Sequence, residues 1–187
     1  MRTEAVHAVR YSRLSINRLG LWFFMLSEAM IFVALLFTRF YLQGTYRPPE
    51  LNQIVGLLIT ALLLTSSLSA YRAEVAIGRN NRPSFLRFTL LTIVLGILFV
   101  IGVAFEWSEA LAHFPPTTGF GTVFFTLTGM HALHVLSGIV IWVLLYWNGR
   151  QGSYAAADYW GPEAAAKYWH FVDVVWVFFY PALYLVS

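Results

Sequence analysis

Leu19–Leu42 reads LGLWFFMLSEAMIFVALLFTRFYL, an apolar run with one carboxylic acid, Glu28, set in its middle. As a helix it reaches about 36 Å, more than the roughly 30 Å hydrocarbon core of a bilayer. Glu28 then lies inside the membrane, where an ionised carboxylate costs roughly a few kcal/mol or more. Such a side chain must turn toward other protein or toward water. Where it is dry, it is expected to stay as the neutral acid, because desolvation disfavours charge. Phe24, one turn earlier, shares its face and should share its groove.

Working outward, the whole chain has the same character. It is 59% hydrophobic and 11% charged over 187 residues, against about 25% charged in a soluble domain. An integral membrane protein with little outside the lipid is expected. Cysteine is absent, which excludes disulfides, iron–sulfur clusters, thiolate–zinc sites and thiolate-bridged copper. The net charge of +3 belongs with topogenic arginines near anionic headgroups. Nucleic acid is not an expected partner, since no soluble basic platform exists to hold it. The first apolar run is longer than a signal-peptide core and is followed by no small-residue cleavage site, so it should remain as the first span.

Five spans are expected: about 19–42, 51–71, 88–111, 120–147 and 168–187, behind a polar segment 1–18 on the cytoplasmic side. The fold class is all-α, an integral bundle of five transmembrane helices forming one membrane domain, 19–187. Gly44 with Pro48-Pro49, the polar stretch 72–87, Pro115-Pro116 and the Gly/Ala-rich stretch 148–167 read as connections. Thr60, Thr65, Ser66, Ser67 and Ser69 give the second span a small, polar stripe suited to close helix contact. Of the twelve basic residues, all but Arg39 and Arg47 fall on one side of this arrangement. The positive-inside rule then places the N-terminus in the cytoplasm and the C-terminus outside. No internal repeat suggests an inverted-repeat transporter.

Few residues could carry chemistry. Glu28 is either a proton-handling carboxylate or a packing acid bonded to a neighbouring helix; packing is the reading taken. His131 and His134 share one helix face and with Glu28 could form a carboxylate-plus-two-histidine metal site. Either could also be a haem ligand, but a polar cluster binding the bundle is preferred. His170 and Asp173 are expected at the start of the fifth span, Asp173 accepting from His170 or capping the first turn. Glu106 and Glu109 are expected near the headgroups, where ionisation is cheap. Arg72, Arg79, Arg82 and Arg87 are candidate contacts to anionic headgroups, worth about 1 kcal/mol each near the surface.

Three blocks of sequence resemble subunit III of the haem–copper terminal oxidases. One runs from Leu19-Gly20 through Ser27-Glu28 to Phe32. The second is Phe105-Glu106-Trp107 followed by Gly121–Phe125 and Thr128-Gly129-Met130-His131-Ala132-Leu133-His134-Val135. The third is Tyr168-Trp169-His170-Phe171-Val172-Asp173-Val174-Val175-Trp176. Trp107, Met130 and Ala132 stand where the family usually has Tyr, Phe and Gly. The second span is the weakest match. The resemblance is to the short bacterial form, which lacks two N-terminal spans of the mitochondrial type and implies a bacterial plasma membrane.

What the resemblance implies is a non-catalytic subunit that holds no haem and no copper. Those cofactors belong to partner subunits: oxygen reduction and proton pumping to subunit I, electron entry to subunit II. Subunit III of this family packs on subunit I, encloses phospholipid in a cleft and sustains proton uptake. Glu28 takes the place of the family's buried, carbodiimide-reactive carboxylate, and Phe24 and Glu28 are the lipid-cleft candidates. The related small subunit of a quinol oxidase or nitric oxide reductase system is the alternative within the family. A stand-alone proton or ion channel using Glu28 is the alternative of another class.

Overall fold

The computed structural model describes residues 12–49 and 51–186. Five α-helices follow in order: α1 (Arg13–Gln43), α2 (Gln53–Gly78), α3 (Arg82–His113), α4 (Gly119–Gln151) and α5 (Trp160–Tyr180). A π-helical turn, Pro181–Leu185, ends the fold. Among the described residues there is no strand beyond one isolated bridge between Ala155 and Asp158. Helices α1 to α4 are each long and apolar enough to cross a membrane.

The helices begin where side chains can satisfy their free amides. Ser12, Asn52, Asn81 and Thr118 each accept from a backbone N–H in the first turn of α1, α2, α3 and α4. Pro83 sits in the first turn of α3, where a missing N–H costs nothing. These caps correct the reading of 72–87 as a loop. The stretch 72–87 is mostly helix, interrupted only around Arg79–Asn81. The segment 1–18 is helical from Arg13 onward, and its residues 1–11 lie outside the described part. Hydrophobicity marks where a helix leaves lipid, whereas the cap marks where it ends, and here the helices run on past the apolar stretch.

Helix α3 packs against α2 and α4, and α5 lies against α1, α2 and α4. Its side chains Trp169 and Trp176 are fully buried. The Trp169 ring fills the space left by two glycines: a Cβ at Gly138 would stand 2.7 Å from it and one at Gly96 2.9 Å. The α2 stripe faces the same rings. Ser66 Oγ accepts from Trp169 Nε1 and Thr60 Oγ1 from Trp176 Nε1, each at 2.9 Å. Ser69 bonds Thr92 of α3 at 2.7 Å, while Thr65 only returns to its own helix. Small hydroxyl residues thus bring α2, α3 and α5 close and bond across the contact.

Candidate functional site

Glu28 faces α4. Its Oε2 lies 3.0 Å from His134 Nε2, while His134 Nδ1 lies 2.8 Å from the Met130 carbonyl. A carbonyl only accepts, so Nδ1 carries a hydrogen and Nε2 is the nitrogen that meets Glu28. Phe32 covers the pair edge-on, 4.7 Å from the His134 ring. Nearby, Ser137 Oγ and the Tyr168 hydroxyl are 2.8 Å apart. Phe24 packs 6.1 Å from the Tyr168 ring.

Phe24 also lines a cavity of about 350 Å³ with Leu21, Ser137, Ile141 and Tyr168. Glu28 is not among the residues lining it, because its carboxyl is drawn across to His134. The expected shared groove is therefore Phe24's, with Glu28 closed behind it. Two further apolar cavities of about 350 and 340 Å³ follow the seam between α1 and α5 and share Phe171 and Val174.

The two α4 histidines do not act together. His131 is fully buried among Phe99, Trp176 and Phe179, and both its ring nitrogens lack a hydrogen-bond partner. Among the described residues no group of three His, Asp or Glu side chains could hold a metal ion. Residues three apart on a helix differ by about 60° in direction, enough here to send His134 to α1 and His131 to the aromatic core.

His170 and Asp173 correct a second expectation. Because α5 starts at Trp160, both lie well inside it and cap nothing. His170 Nδ1 lies 2.6 Å from Ser67 Oγ on α2. Asp173 is 4% exposed, and neither carboxyl oxygen has a partner. Glu106 is likewise no headgroup residue. It is 3% exposed, with Oε2 accepting from the Tyr184 hydroxyl at 2.6 Å and Oε1 unpartnered. Glu109, one turn on, is exposed as expected. Of the three acids Glu28, Glu106 and Asp173, Glu28 is thus the most exposed.

The four candidate headgroup arginines are all exposed. Arg72 lies over the Phe88 ring at 5.7 Å. Arg82 is committed to protein: it donates to the Gly149 carbonyl at 2.8 Å and to that of Arg150, closing the C-terminal end of α4. Sequence reading missed several partners. Arg18 Nε and Nη2 form a two-pronged pair with Glu163 at 2.9 and 3.0 Å, and Lys167 joins the same carboxylate. Tyr184 as the donor to Glu106 was missed too. Matching depths across different spans was the available signal, since Glu106 and Tyr184 both stand near the same end of the bundle.

With this geometry in view, comparison with known proteins is decisive. The family model described as cytochrome c oxidase subunit III matches residues 6–187. The chain belongs to that family. A relative called cytochrome c oxidase subunit 3 in Synechocystis sp. is 32% identical over 175 residues, covering 89% of this chain and 74% of the relative. Proteins of the same name in Syncerus caffer and Hippopotamus amphibius are each 35% identical over 181 residues, covering 89% of this chain and 68% of theirs. Membership makes the chain part of a cytochrome c oxidase complex in a respiratory chain. Its long apolar helices suit a multi-pass membrane subunit of that family.

Proposed function

We propose that this subunit III supports the oxidase without taking part in its redox chemistry: it packs on subunit I, shares the complex with subunit II, retains phospholipid and sustains proton uptake by subunit I. The haem and copper are those of the partner subunits. The observation that supports this reading most is the Glu28–His134 contact, in which the acid is turned inward and closed by a neighbouring helix rather than lining an open path. Glu106 and Asp173 are buried more deeply still.

In this reading residues 19–187 form one membrane domain behind a cytoplasmic segment 1–18, and α5 is a fifth crossing. At 21 residues it would reach about 31 Å, the thickness of the hydrocarbon core. The N-terminus is cytoplasmic, the C-terminus outside, and the membrane is a bacterial plasma membrane. Glu28, His131, His134, His170, Asp173 and Glu106 serve helix packing. The Phe24 cavity is the lipid cleft, and Arg72, Arg79 and Arg87 meet headgroups. Arg82 contributes what its carbonyl contacts leave free.

Mild detergent extraction of the tagged chain tests this. A haem-absorbing, copper-bearing partner should come down with it, while the separated polypeptide should show no Soret band and no conductance in liposomes. Proton conductance by the purified chain, abolished in Glu28→Gln, would replace this reading with a channel.

A further inference from the structure

A small pocket lies between the start of α2 and the last turns of α3. Glu106, Glu109, His113 and Asn52 supply its polar lining, and Leu51 and Phe114 are among its apolar walls. Its free volume, about 10 Å³, is that of one water-sized group. Glu106 is deeply buried here, with Oε2 taken by the Tyr184 hydroxyl and Oε1 without a partner. Glu109 follows three residues later on the same helix face and is exposed. His113 Nδ1 lies 2.9 Å from the Glu109 carbonyl, so in the neutral ring Nε2 is an acceptor. Asn52 Oδ1 is occupied by the amides of Ile54 and Val55. The free polar atoms of the pocket are therefore acceptors: Glu106 Oε1, the Glu109 carboxylate and His113 Nε2.

That set calls for a compact cationic donor. Among the described residues no such trio could hold a metal ion, whose ligands must close to about 2.0–2.6 Å. An ammonium asks less, because it brings three N–H donors that meet oxygen at about 2.7–2.9 Å. A guanidinium is too broad for the space. Leu51 and Phe114, both buried, suit the methylene stem behind a lysine ammonium. The chain's single lysine, Lys167, is not that group. It is paired with Glu163 and stands about 20 Å before the end of α5, beyond which Tyr184 meets Glu106. We propose that this pocket is a socket for a lysine of a neighbouring subunit, its ammonium held by Glu106 Oε1 and Glu109. The proposal rests on membership of the oxidase complex and names one contact within it. A buried acceptor left unmade costs stability, and the incoming ammonium supplies both its hydrogen bond and its counter-charge.

The test treats the intact complex with a water-soluble carbodiimide, which joins a carboxyl to a touching amine with loss of water. Mass spectrometry should find Glu109 or Glu106 joined to one lysine of another subunit. In complex not treated with carbodiimide, that lysine should resist acetylation. Its acetylation should rise by about tenfold or more in Glu106→Gln and in Glu109→Gln, which is about 1.4 kcal/mol of lost hold. Glutamine keeps an acceptor for Tyr184; should Glu106→Gln still fail to assemble, the exposed Glu109→Gln carries the comparison. The proposal is overturned if neither acid is joined to a lysine, or if the joined lysine is acetylated as fast in the wild type as in the variants. Coupling of added methylamine to these acids, in place of a subunit lysine, also overturns it and makes the pocket a site for free cations only. Each of these outcomes leaves the purified complex intact, so this failure is distinct from failure of oxidase membership.

Discussion

The first and last helices differ in a way that runs against intuition from soluble proteins. Helix α1 is strongly apolar, yet only 11% of its most apolar stretch is buried, against 39% in α2 and in α4. It buries Met25, Phe32 and Arg39 and is tied on by polar contacts, Arg18 to Glu163 and Glu28 to His134, while Arg39 closes its own C-terminal turn through the carbonyls of Gly44 and Tyr46. Helix α5 carries Glu163, Lys167 and Asp173, yet it holds the core with Trp169, Trp176 and Phe179. In lipid the surface must be apolar, whereas the interior accepts polar groups that find partners. Hydrophobicity therefore marks the outside of this protein, and mixed character marks its centre.

The largest expected effect comes from the α5 core. Trp169→Ala removes a ring held between Gly96 and Gly138 and leaves Ser66 without its donor; a loss of about 3–5 kcal/mol is expected. Trp22→Ala on α1, at 60% exposure, should stay within about 0.5 kcal/mol. Thermal denaturation of the detergent-solubilised complex compares them, and equal losses would break the contrast.

Next in size is the central tie of α1. Glu28→Lys sets a cation beside His134, with a cost of about 3–5 kcal/mol for the unpaired charge, seen as loss of subunit III from the purified complex. Glu28→Gln keeps the size and a donor and should leave assembly and initial turnover nearly intact. Severe loss of initial activity in both variants would make Glu28 an essential proton carrier.

Smaller again is the Glu106–Tyr184 bond. Tyr184→Phe keeps the ring and leaves Glu106 with no partner at either oxygen, costing about 1–3 kcal/mol; the same melts should show it as a modest shift. The least effect should come from Arg18→Gln at the end of α1. That arginine is half-exposed, and its contribution should shrink further as salt rises. Release of α1 by this change alone, read as protease cleavage near Gly44, would mean the mid-helix contact at Glu28 holds less than supposed.

Much of this was legible beforehand because the bilayer is a severe solvent. Any helix crossing it must be long and apolar, so α1 to α4 stand out by length and composition alone. The hydroxyl stripe of α2 was legible as a contact surface for the same reason. The helix ends were not, because Asn81 and Ser12 act through local amide capping, which a hydrophobicity reading does not weigh. Glu106 was misplaced because its distance from the helix end was judged without Tyr184, whose hydroxyl makes burial tolerable.

By itself the sequence determined the class of protein and the family. It did so because apolar length and the motifs around Glu28, His134 and Asp173 are local properties. Only the tertiary structure decided the pairings: Glu28 with His134 and not His131, His170 with Ser67 and not Asp173, Glu106 with Tyr184. Those depend on the depth and rotation of one helix against another, which arise from ring-to-glycine packing between segments far apart in the chain.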